Sequence, residues 1–142
     1  MDIKFLDEEG DKYDKGITKE EAHELMLSDI KDLQEYLDKF LHDNSIVLNQ
    51  HQYDALISFT FLAGISWLVE YTDLRNILTS GNITYEKMHR EFMEWLMINK
   101  KREKDVYRRR MDELDIFFYG AYKTDFDRPI PDWFYDETRY GE

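Results

Sequence analysis

At 142 residues the chain is long enough for one domain with a real hydrophobic core, and it contains no cysteine. That excludes disulfides, thiolate metal sites and a cysteine nucleophile. The net charge of −12 (31 acids against 19 Lys and Arg) opposes direct contact with nucleic acid or anionic lipid and favours basic protein surfaces.

Residues 1–17 are short of apolar residues and rich in Asp, Glu and Lys. They read as an irregular acidic lead-in with a small apolar anchor at Ile3, Phe5 and Leu6. The start, MDIKFLDEEG, holds no apolar run, so neither a signal peptide nor a membrane anchor is expected, and the expected location is the cytoplasm. Thr18 to His42 reads as a long helix. Thr18 and Glu21 have the spacing of a capping box, and Ala22, Leu25, Met26, Ile30, Leu33, Leu37, Phe40 and Leu41 recur at three- and four-residue steps. Glu20, Glu21, Glu24, Asp32, Glu35 and Asp38 take the opposite arc. Asp29 breaks the pattern. At about 100° per residue it falls in the middle of the apolar arc, where a carboxylate needs a partner or an opening.

Asn49 to Val69 is the stretch around which the remainder is expected to fold. Asn49 and Gln52 have N-cap spacing, no charge occurs from Ala55 to Val69, and Gly64 can close the helix in a left-handed conformation. A helix apolar on every side must be wrapped by other elements, and this one is too short for a membrane span. Thr72 to Thr79 reads as a short helix ending near Gly81. Thr84 caps a helix through about Ile98, with Met88, Phe92, Trp95 and Leu96 inward. Asn99 to Lys104 is a basic loop or break. Glu103 to Tyr119 is the last helix, with Gly120 beyond its end. No strand pattern and no internal repeat are evident. The tail, 121–142, holds Pro129 and Pro131, and from Tyr119 on there are seven aromatic residues. Such a segment either packs back on the domain or serves as a partner-binding anchor. The fold class expected is all-α: a compact bundle around a central buried helix, with a lead-in over 1–17, the domain over 18–120 and an aromatic acidic tail over 121–142.

Charge is uneven along the chain. Residues 1–43 hold 14 acids and 6 bases, a net of −8, and residues 99–120 hold 5 acids and 7 bases, a net of +2. His23, His42, His51 and His89 form no metal-binding spacing, so no metal and no cofactor are expected. There is no phosphate-binding loop motif and no nucleophile-elbow motif. Arg108, Arg109 and Arg110 are expected to pair with acids such as Glu91 or Glu94.

GITKEEAHELMLSDI, LNQHQYDALISFTFLAGI, TDLRNILTSGNI, HREFMEWL and VYRRRMDELDIFFYG resemble, in order and spacing, successive blocks of the phage lysozyme (endolysin, muramidase) family. The resemblance covers Gly16 to Gly120 and implies the helical lobe of that fold. In the family a catalytic Glu ends a first helix and a β-hairpin lobe follows, all before the block matching GITKEEA. Here 17 residues stand in that place, and only Glu8 and Glu9 could supply the acid. Thr18 is better read as an N-cap than as the family's cleft threonine. Where the family often has Asn, Leu62 stands. Asp29 matches an Asp that the family pairs with a His of the other lobe, so a new partner, from the tail for instance, or exposure is expected.

These departures lead to an expected function without catalysis: a phage or mobile-element protein, in an infected bacterial host, that binds a host protein with a basic or nucleic-acid-binding surface, in the manner of an anti-CRISPR inhibitor. The residues expected to carry that binding are Glu20, Glu24, Glu35 and Asp38, with Trp133 and Phe134 of the tail. The alternative is a shortened muramidase that uses Glu8 or Glu9 on bacterial peptidoglycan. A third class is a wall-binding remnant that does not cut.

Overall fold

Thr18 opens the first helix as its side chain suggests: its Oγ1 accepts the Glu21 N–H at 3.1 Å. The computed structural model describes residues 18–70, 72–98 and 101–136, without the side chains of Val69 and Ile98. The lead-in, with Ile3, Phe5, Leu6, Glu8 and Glu9, lies outside them, as does Tyr140 of the tail. Helix α1 runs Lys19–Asp43, yet its buried residues, Leu37, Phe40 and Leu41, all lie near its C-terminal end.

The uncharged stretch forms two helices, α2 (Gln50–Ala63) and the single turn α3 (Ser66–Val69). Asn49 and Gln52 make a reciprocal capping box. Gly64 does end α2 at a positive φ of 88°, but its ψ of 174° is extended, not the left-handed helical turn expected. That region is open essentially to glycine alone, and it throws the chain back rather than around. Trp67 thereby returns onto α2, fully buried, with its Nε1–H donated to Thr60 Oγ1 at 3.1 Å. Thr60 Oγ1 in turn donates to the Leu56 carbonyl. The central helix is also less wrapped than its composition implies, since Leu62 is 42% exposed.

Helix α4 (Asp73–Ser80) starts on Thr72 and ends at Gly81, which is left-handed (φ 76°, ψ 1°). Helix α5 (Tyr85–Phe92) starts on Thr84 but stops short of Ile98. Instead β1 (Met97–Ile98) pairs antiparallel with β2 (Lys101–Arg102), and the Glu103 N–H is donated to the Leu96 carbonyl at 3.0 Å. Backbone groups that a longer helix would have used are satisfied by this small hairpin, where a basic loop was expected. Helix α6 (Lys104–Tyr119) ends at Gly120, left-handed with φ 63°. The all-α reading holds: α2 packs most extensively on α6, and α1, α5 and the α3–α4 turn close the bundle. The core gathers Leu37, Leu56, Phe59, Trp67, Met88, Phe92, Leu114 and Phe117.

The tail packs back. Residues Asp132–Tyr135 form a 3-10 turn, Phe134 is 4% exposed, and both Trp133 and Phe134 set their rings edge-on to Tyr107, at 5.8 and 6.0 Å. Arg102 donates to the Phe134 and Asp136 carbonyls, each at 2.8 Å. Arg128 bridges Asp112 (3.0 Å) and Asp115 (2.8 Å) on α6.

Candidate functional site

Three consecutive arginines on one helix leave it about 100° apart, so each starts in its own direction. On α6 they divide accordingly. Arg108 turns to the tail and donates from Nε to the Arg128 carbonyl at 3.0 Å. Arg109 turns to α2, reaching the Ser58 carbonyl and Oγ at 3.3 and 3.4 Å. Arg110 turns inward. It is fully buried, lies 4.7 Å from the Phe59 ring centroid and donates to the Phe59 carbonyl at 3.3 Å.

Glu113 joins the last two. Its carboxylate lies 2.9 Å from Arg110 Nε and 3.3 Å from Arg109 Nε, and it accepts the Ser58 hydroxyl. Burial pushes the Glu113 carboxyl above its ordinary value, against the opposing pull of Arg110, Ser58 and Arg109. Burial likewise lowers Arg110 to about 10, which leaves it charged at neutral pH. The expected partners of the arginines, Glu91 and Glu94, are thus replaced by Glu113 on the same helix, three and four residues on. The Arg-Arg-x-x-Glu spacing was visible in the sequence; which way each guanidinium turned was not.

Beside this cluster opens a cavity of about 600 Å³, within the size range of small-ligand sites. Its walls include Ser58, Arg109, Glu113 and Ile116, with Tyr122 and Phe126 from the tail. Arg109 is partly exposed there, while Glu113 is spent on its three partners. The arrangement can offer hydrogen-bond donors and aromatic faces to a polar ligand. Three further acids line it: Asp112, paired with Arg128, Asp105, beside Arg108, and the exposed Asp125.

The acids expected to bind a partner, Glu20, Glu24, Glu35 and Asp38, are all exposed on α1. Asp38 also accepts the Tyr53 hydroxyl at 2.7 Å, and burial and this carboxylate raise the phenol's pKa. Trp133 and Phe134 are not brought to them: both face α6, one half-buried and one buried. Asp29 is half-buried on α1 and has no hydrogen-bond or ionic partner among the described residues. The tail, offered as its partner, is tied to Arg102 and α6 instead.

A second carboxylate stands out. Glu91 is 7% exposed and is pushed up to about 7, first by burial, then by repulsion from Glu94 and Asp73. Its folded pKa lies above its unfolded value, so folding binds a proton between about pH 4.5 and 7 and stability falls as pH rises through that window. Water screens the neighbouring acids, which limits the cost to at most about 2 kcal/mol. Glu91→Gln is expected to raise the melting temperature by about 3–6 °C at pH 8 and to leave it unchanged at pH 4. Thermal unfolding at the two pH values checks this, and an equal shift at both would refute it.

Among the described residues no group of three or more His, Asp or Glu is placed to hold a metal ion, and no helix is long and apolar enough to cross a membrane. The family model for phage lysozyme matches residues 6–113. An endolysin of Bacillus phage B103 is 31% identical over 108 residues, which is 76% of this chain and 39% of that protein. The chain therefore spans about two-fifths of the length of this curated relative. No solved structure matches.

Proposed function

The chain belongs to the phage lysozyme family, and from that premise we propose that it acts on the bacterial cell wall as a muramidase of the endolysin type. The observation that carries this reading is the 31% identity to an endolysin across 108 residues. It favours the wall over the host-protein inhibitor expected from charge and from the sequence departures.

Lysozyme-type hydrolysis needs a carboxylic acid kept protonated beside the glycosidic oxygen and a second carboxylate across the sugar. In this reading Glu8 or Glu9 supplies the acid, and the helical bundle supplies the wall against which glycan lies. The guanidinium of Arg109 and the faces of Tyr122 and Phe126 suit glycan hydroxyls and sugar rings. Incubation with purified sacculi, read as new reducing ends, tests the reading. Release is expected from the unmodified protein, with a loss of roughly 100-fold or more in Glu8→Gln or Glu9→Gln. Binding to sacculi with no release would leave a wall-binding protein and overturn hydrolysis. Release that neither variant diminishes would remove both glutamates from the reaction.

A further inference from the structure

The N-terminal part of α1 is built to meet something. The helix has 25 residues, about 38 Å, but none before Leu37 is buried. Ala22, Leu25, Met26, Ile30 and Leu33 are half-buried on one arc, and none of them belongs to the core or to the layer packed on it. Leu27 and Tyr36 are each 50% exposed nearby. A stripe of this spacing is the seam of a helix–helix contact.

Charge says what kind of helix would lie on it. From residue 18 to 36 there are six acids and two lysines, a net of −4. Glu20, Glu21, Glu24, Asp32 and Glu35 are exposed along the sides of the arc. Asp29 stands within the arc, half-buried, with no partner among the described residues. A carboxylate enclosed in an apolar seam demands a cation from the other side. A second copy of α1 would bring the same acids and repel. The lead-in is a poor cover too, since residues 1–17 hold six acids and three lysines, a net of −3. An anionic membrane is disfavoured for the same reason.

We propose that the N-terminal part of α1 docks an amphipathic helix of another protein, one with an apolar stripe, Lys or Arg along both sides, and one cation placed to meet Asp29. This surface is independent of the wall reading and stands or falls separately from it.

The probe is a synthetic Leu/Lys amphipathic peptide of roughly 18 residues, five helical turns, with a Leu/Glu peptide as its counterpart. Binding to the full chain is read by fluorescence anisotropy at low and high salt. The Leu/Lys peptide is expected to bind and the Leu/Glu peptide not to bind. Met26→Ser with Ile30→Ser is expected to weaken binding about tenfold or more at either salt concentration. Glu20, Glu24 and Glu35 changed to Lys should weaken it mainly at low salt. Asp29→Asn should weaken it several-fold, whereas Val47→Ser, at a residue 94% exposed beyond the end of α1, should change nothing. None of these residues is buried, so circular dichroism should show the fold intact. Absence of Leu/Lys binding, indifference to the Met26 and Ile30 changes, or equal binding of the Leu/Glu peptide would each overturn the proposal. So would binding that appears only after Phe5 and Leu6 are changed to Ser, which would make the lead-in the occupant. Self-association abolished by Met26→Ser with Ile30→Ser would make it a second copy.

Discussion

Glu113→Ala is expected to destabilise the protein by about 3–5 kcal/mol, lowering the melting temperature by on the order of 10 °C. The reason is what the substitution leaves behind. Arg110 is fully buried and keeps one neutral acceptor, the Phe59 carbonyl, together with the Phe59 ring face. Neither replaces a carboxylate at 2.9 Å. The cost is therefore mainly that of an uncompensated buried cation, not the intrinsic worth of the pair. Arg110→Met should cost a similar amount, because Glu113 would then rely on Ser58 and on the partly exposed Arg109. The double change, Arg110→Met with Glu113→Leu, should be less harmful than either single one, since it removes both charges and refills the volume. Thermal or urea unfolding of the four proteins closes the cycle. Single variants that lose less than about 1 kcal/mol would mean that water reaches the pair, and the buried geometry would be wrong.

This cluster also shows where the sequence stopped being informative. Local chemistry was readable: Thr18, Asn49 and Thr84 cap helices, the helix after Thr72 ends at Gly81, and Gly120 stands just past the end of the last one. These features depend only on neighbours in the chain. The helical period also placed Asp29 within the apolar arc of α1, and it is half-buried there. What could not be read depends on rotation and return. Arg110 was equally suited to Glu91 or Glu94 until α6 turned it toward its own Glu113. Gly64 was recognisable as a helix stop, but not as the extended reversal that brings Trp67 onto Thr60. The helix after Thr84 looked longer because Trp95 and Leu96 fit its apolar period. They are in fact placed by tight turns from Glu91 and Phe92 that lead into the hairpin. The cavity was least readable of all, since it needs Ser58 of α2, Arg109 of α6 and the tail brought together across the fold.

Phe59→Ala is expected to cost about 3–5 kcal/mol, as large a loss as any single core change in this protein. Phe59 is fully buried at the centre of the aromatic packing. Its ring stacks on Phe92 with centroids 4.2 Å apart, and meets Trp67 and Trp95 edge-on at 6.3 and 6.1 Å. It also underlies Arg110. Truncation would open a cavity touching α2, α3, α5 and the turn after α5 at once, and these elements can close over it only by moving together. It would also strip the apolar face from the buried guanidinium, so the loss should exceed that of Leu56→Ala, which empties space of similar kind but touches no ion pair in the contacts described. The indoles on either side offer a second readout: Trp67 is fully buried beside Phe59, and its fluorescence should move to longer wavelength as water or mobility enters the gap. Phe126→Ala, at a residue 78% exposed, serves as the matched surface control and should leave stability and emission unchanged. Equal losses for Phe59→Ala and Phe126→Ala would place the tail, not α2, at the centre of the fold, which the packing of Trp67, Phe92 and Arg110 around one ring argues against.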